Sequence, residues 1–178
     1  MKDEELVKRY RSGDAEAISL LIDRYAGKAM ALAFQLMRNR EEAEDVCQEA
    51  FLRTFVHLDK FDATRCFRTW FFTLLGNVGR DRLRRSRRFG RFARCFQADT
   101  VSRRPARPPE RSEDHLDERI LDHLSRRQRI AVWLWAYEGC TGVEIASVLG
   151  CAPGTARVHL YAARKKIKKY LEKDNAAL

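Results

Sequence analysis

Between Asp14 and Met37, apolar residues recur at Ile18, Leu21, Ile22, Tyr25, Ala29, Leu32, Ala33 and Leu36, a spacing that lays one stripe along one face of a helix. A second helix is expected to open at Asn39, a suitable N-cap, with Glu42 three residues on as in a capping box, and to run to about Leu58. Its buried stripe would be Ala43, Cys47, Ala50, Phe51, Thr54 and Leu58. Glu41, Glu44, Asp45, Gln48, Glu49 and Leu52 would then share a mostly acidic opposite face. After a short loop, Asp59 to Cys66, the run from Phe67 through Arg85 reads as a third helix, aromatic first and arginine-rich afterwards. Gly76 and Gly79 count against it, each costing about 1 kcal/mol relative to alanine inside a helix.

From Phe89 to Ser112 the periodicity is lost, and Pro105, Pro108 and Pro109 among arginines mark a linker. Order is expected to return near Asp114. Ser125 with Gln128 forms a capping-box pattern ahead of Ile130, Ala131, Leu134 and Trp135, and Thr141 with Glu144 forms another ahead of Ile145, Ala146, Val148 and Leu149. Past the Gly150 break, Pro153 suits the first turn of a last helix that carries Ala156, Leu160, Ala163 and Ile167 inward. No strand pattern emerges. The expected fold is all-α, with two small helical domains at 1–88 and 114–178 joined by a flexible Arg/Pro-rich linker at 89–113.

Charge divides this frame further. The 178-residue chain carries a formal net charge of +10, but residues 1–60 hold ten Lys/Arg against twelve Asp/Glu, whereas residues 80–111 hold twelve Arg against Asp81, Asp99 and Glu110. An acidic front and a basic middle suggest two kinds of partner, although a basic stretch also serves simply as a solvated segment. The five cysteines, Cys47, Cys66, Cys95, Cys140 and Cys151, stand far apart without metal-ligand spacing, so reduced thiols are expected and no metal. No apolar stretch reaches the roughly 20 residues of a membrane span, and the Met-Lys-Asp-Glu-Glu start is too acidic for a secretory signal. The expected location is the cytoplasm. His57, His115, His123 and His159 lack a paired nucleophile or carboxylate, and no phosphate-binding glycine loop is present. Neither a catalytic residue nor a cofactor is expected.

Three surfaces remain as candidates. Thr141 to Ala163 has the form of a helix-turn-helix, a common way to pack helices that here also turns Gly154, Arg157, Val158, Tyr161, Ala162 and Lys165 outward. Arg157 suits a guanine edge, Val158 and Ala162 suit thymine methyls, and the bases from Arg164 to Lys169 suit phosphates. In the third helix Phe67, Trp70, Phe71 and Phe72 precede Asn77 and the cluster from Arg80 to Arg88, a combination that can hold unpaired bases. Four aromatics within six residues cannot all face outward, however, and some must fill a core. The acidic face of the second helix is either solvated surface or, given Leu52 beside Asp45, Gln48 and Glu49, a docking face.

The order of these features resembles the extracytoplasmic-function sigma factors of the sigma-70 family. Glu44-Asp-Val-Cys-Gln-Glu-Ala-Phe-Leu52 resembles the polymerase-binding motif of sigma region two, and Phe67-Arg-Thr-Trp70 with Asn77 and Asp81 resembles its promoter-melting helix. Leu124-Ser-Arg-Arg-Gln128, Glu144-Ile-Ala146, Leu149-Gly150 and Gly154-Thr155 through Ala163-Arg164 resemble sigma region four. The resemblance implies a region-two helical bundle and a region-four helix-turn-helix. It implies that Asp45, Gln48, Glu49 and Leu52 dock on the clamp helices of the largest subunit of core RNA polymerase, with region four on the flap. Phe61, Phe67, Trp70, Asn77, Arg80 and Arg84 would serve the minus-ten element. Gly154, Thr155, Arg157, Val158, Tyr161, Ala162 and Lys165 would serve the minus-thirty-five element. An anti-sigma factor is implied as a further partner. The competing reading is a stand-alone helix-turn-helix regulator whose front helices dimerise.

Overall fold

The structure, a computed structural model, describes residues 1–96 and 118–175, with side chains over 1–88 and 120–172. The chain divides into two compact units, Met1–Pro108 and Pro109–Leu178.

The first unit contains α1 (Asp3–Arg11), α2 (Glu16–Met37), α3 (Arg40–His57), a 3-10 turn at Leu58–Lys60, and α4 (Phe67–Phe96). Helix α1 was not singled out by periodicity, because only Leu6 and Val7 of its nine residues are buried. Long-range polar contacts tie it down instead. Tyr25 donates from its hydroxyl to Asp3 at 2.5 Å, and Arg24 pairs with the same carboxylate. Asn39 caps α3 by accepting from the Glu42 amide at 2.9 Å. The stripe of α3 differs in part from the expected one. Ala43, Val46, Ala50 and Thr54 are buried, whereas Cys47 and Phe51 sit half-buried at its edge.

Around Tyr25 the aromatics of α4 close the core, with Phe67, Phe71 and Phe72 ring centroids 5.4, 5.2 and 6.0 Å away. Edge-on and tilted arrangements of this kind add to the burial of the rings themselves. Gly79 sits where α2 and α4 approach closely: a Cβ on it would lie 2.9 Å from Cδ1 of Leu36, so that side chain would have to shift to admit one. The helical backbone of α4 continues to Phe96, into the stretch expected as linker from Phe89. Arginine is a good helix former and no proline occurs before Pro105, so nothing in that sequence stops the helix. The remainder of the expected linker, and the expected restart near Asp114, lie outside the described residues.

The second unit contains α5 (Glu118–Asp122), α6 (Arg126–Glu138), α7 (Gly142–Leu149) and α8 (Pro153–Asn175). Both capping boxes form, Ser125 with Gln128 and Thr141 with Glu144. Helices α6 and α7 end on Gly139 and Gly150 at φ 61° and 62°, the left-handed conformation that glycine adopts without a Cβ penalty. Ala163 is buried with Leu121, Leu124 and Val132, and Leu160 and Ile167 pack against them, which is the inward stripe expected of α8. Trp135 is 43% exposed, and Trp133 takes the core position at 4%. Two tryptophans two residues apart lie on opposite sides of a helix, so only one can be inside. Among the described residues there is no strand, and no helix is long and apolar enough to cross a membrane.

Candidate docking and nucleic-acid surfaces

On α3, Asp45, Gln48 and Leu52 face outward and Glu49 is half-buried. Leu52 is 59% exposed, and Val56, one turn further and unforeseen, extends the apolar strip. Asp45, Gln48, Glu49 and Leu52 form one side of an open cleft of about 390 Å³ whose other side is α4, through Val78, Asp81, Arg82 and Arg85. Asp45 pairs with Arg82 across the cleft at 2.5 Å, and Glu49 pairs along its own helix with Arg53 at 2.7 Å. The candidate docking face is therefore an acidic and apolar ridge beside an arginine wall. The i, i+3 spacing of Arg82 and Arg85 would have revealed that wall had the two helices been set side by side.

Further along α3 and α4, Trp70, Thr73, Leu74 and Asn77 line a pocket of about 280 Å³ with Arg53 and His57. Asn77 is exposed and accepts from Arg80, and Arg84 is exposed beside Asp81 at 3.6 Å. Two residues expected at the minus-ten element are buried. Phe61 and Phe67 are 3% and 2% exposed, in ring contact with each other at 5.6 Å, so neither offers a free face to a base. Trp70, in contact with Phe61 at 4.9 Å, is only half-buried and keeps one edge on the pocket.

On α8, Gly154, Thr155, Arg157, Val158, Tyr161 and Lys165 are exposed and Ala162 half-exposed, with Val158 at 64% and Tyr161 at 70%. Pro153 opens this helix and Ala156 is buried beneath it. Arg157 lies along the start of α7, where a Cβ on Gly142 would sit 3.4 Å from its Cγ. Arg164 lies over the Trp135 ring at 4.8 Å, a cation–π contact that explains an exposed tryptophan beside the recognition helix. On the same helix, burial and nearby Arg127 lower the pKa of His159 from its ordinary value.

The thiols are spread out. Cys66 is exposed in the loop before α4, Cys140 is buried, and burial with the Glu44 charge pushes the Cys47 thiol from 9.0 up to about 12. Cys95 lies outside the described side chains. Among the described residues no group of three or more His, Cys, Asp or Glu side chains is placed to share a metal ion.

Residues 21–89 match the Sigma-70 region 2 family and residues 118–167 match Sigma-70, region 4. The RNA polymerase sigma-H factor of Pseudomonas aeruginosa is 30% identical over 183 residues, covering 96% of this chain and 94% of that protein. The ECF RNA polymerase sigma factor SigW of Bacillus subtilis is 26% identical, covering 93% and 94%. The chain belongs to the extracytoplasmic-function (ECF) sigma factors. It is thus a factor of transcription initiation that works with RNA polymerase, and its helix-turn-helix is the region-four DNA-binding element. Among solved structures, CnrH in complex with the cytosolic domain of CnrY is 26% identical with a TM-score of 0.65, covering 97% of this ECF factor and 98% of that chain. The sigma factor RpoE in complex with the anti-sigma factor NepR from Bartonella quintana shares the fold at a TM-score of 0.68 and 24% identity, over 86% and 96% of the two chains.

Proposed function

We propose that this ECF sigma factor divides its work among the three surfaces. The ridge of Asp45, Gln48, Glu49 and Leu52 docks on the clamp helices of the largest polymerase subunit. Trp70, Asn77, Arg80 and Arg84, with the loop between Phe61 and Phe67, handle the melted minus-ten element. Gly154, Thr155, Arg157, Val158, Tyr161, Ala162 and Lys165 read the minus-thirty-five element, while region four also meets the flap. Residues 1–88 and 114–178 are the two working domains, and the linker of 89–113 begins within the last turns of α4, which runs to Phe96. All bond-making chemistry belongs to the polymerase, so the subunit is not an enzyme, and it works in the cytoplasm, where its polymerase is. It contributes binding energy that offsets the few kcal/mol of unstacking per opened base step. An anti-sigma factor holds it inactive, a reading supported by the solved complexes of CnrH with CnrY and of RpoE with NepR.

The observation that carries this reading is Leu52, 59% exposed within a charged rim on a face that the rest of the unit leaves open. The test is gel filtration of core RNA polymerase with the wild-type chain and with Gln48→Ala/Glu49→Ala. Co-elution of the wild type and not of the folded double variant is expected. Equal co-elution would remove the docking assignment.

A further inference from the structure

Two side chains of α1 reach both ends of the segment between the 3-10 turn and α4. Arg11 donates through its guanidinium to the carbonyls of Leu58, at 2.7 Å, and of Phe61. Glu4 accepts from the backbone N–H of Phe67 at 3.0 Å. They stand seven positions apart, two helical turns, and so share one face of α1.

The Glu4 contact fills a vacancy that the local sequence leaves. The N–H of Phe67 opens α4, so no partner for it exists within the helix, and Cys66 before it is not a residue type that caps well. A carboxylate at that end is favoured twice, by the hydrogen bond and by the dipole of a 30-residue helix. Between these anchors the loop is already ordered. Asp62 accepts from the Thr64 amide at 3.0 Å and hydroxyl at 2.8 Å, and the Arg65 amide donates to the Asp62 carbonyl at 2.9 Å. The Phe61 and Phe67 rings are sunk in the core. The loop therefore behaves as one rigid piece whose ends are held by α1.

We propose that Glu4 and Arg11 are positioning residues for base selection at the minus-ten element, acting through the loop between Phe61 and Phe67. This rests on the reading of that loop as a minus-ten element surface. Neither side chain needs to touch DNA. Their role is to hold the loop's exposed residues, Asp62, Thr64 and Arg65, at a fixed height and angle against the base they meet.

The test uses holoenzyme assembled from core polymerase and full-length chain, and reads run-off initiation on promoters carrying each of the four bases at each minus-ten position. The quantity is the ratio between preferred and other bases, which does not depend on how much holoenzyme is active. Glu4→Ala and Arg11→Met are expected to lower that ratio about threefold to tenfold, less than the roughly tenfold or more that directly losing a hydrogen bond to a charged group costs, because both side chains act on the base only through the loop. Glu4→Gln and Arg11→Lys, which keep an acceptor and a donor, recover part of it, and the minus-thirty-five ratio is unchanged in all four. Asp62→Ala, inside the loop, must lower the minus-ten ratio too. Unchanged ratios in the α1 variants while Asp62→Ala lowers its own would overturn the proposal and leave the loop reading standing. No change with Asp62→Ala would overturn both. A uniform fall in initiation on every promoter would reduce α1 to a stability element and also overturn the proposal.

Discussion

Gly79→Ala tests how tightly α2 and α4 are packed, and its sign depends on one neighbour. An exposed helical glycine gains about 1 kcal/mol on becoming alanine. Here the new Cβ would stand 2.9 Å from Cδ1 of Leu36, against an ordinary contact of about 3.5–4.0 Å. Leu36 is 4% exposed, so shifting it within the core costs about 1–3 kcal/mol of overpacking, which opposes the gain. The net is a destabilisation of up to about 2 kcal/mol. Replacing Leu36 by alanine removes the obstructing atom, and in that background Gly79→Ala should become stabilising by about 1 kcal/mol. Native-state hydrogen exchange on the amides of α2 and α4 reads the opening free energy of this unit separately from the other. The same effect of Gly79→Ala in both backgrounds would refute the reasoning, because it would show that Leu36 does not set the helix separation.

Arg157→Ala should lose discrimination at one or two minus-thirty-five positions, worth about 1–3 kcal/mol in binding titrations, with polymerase affinity intact; uniform weakening on every sequence would make it a phosphate contact. Thr141→Ala removes the capping box of α7 and should cost the second unit about 1 kcal/mol in denaturant unfolding. Cys47, pushed up to about 12, should react with a maleimide far more slowly than exposed Cys66 at pH 8, as read by mass spectrometry. Because its folded value is the raised one, the stability linked to Cys47 is complete below pH 9.0 and declines between there and about 12, a loss that Cys47→Ser should abolish in alkaline unfolding curves.

The sequence was most informative where local chemistry decides the structure. Ser125 with Gln128, Thr141 with Glu144, and Pro153 mark helix starts that depend on residues within one turn. The inward stripe of α8 was legible for the same reason, since a period of 3.6 separates Ala156 and Ala163 from Arg157 and Tyr161. What stayed hidden depends on partners distant in the chain. Helix α1 is held by Tyr25 and by the segment from Leu58 to Phe67, which no local pattern encodes. Which of Phe67, Trp70, Phe71 and Phe72 fill the core is decided by the space around Tyr25, which Phe67, Phe71 and Phe72 occupy, and spacing alone left the four equivalent. Gly79 weighed against a helix until Leu36 gave it a reason. The acidic ridge was legible from its residues, but its arginine wall needed α3 and α4 in place.

The central claim is that this chain gives RNA polymerase a promoter. Run-off transcription from a library of promoter fragments, with core polymerase alone and with the purified chain added, tests it directly. Initiation at defined start sites only when the chain is present, and lost with Gln48→Ala/Glu49→Ala, is the result the account requires. The same transcripts with and without the chain, together with tight binding of the chain alone to paired duplex half-sites, would contradict it.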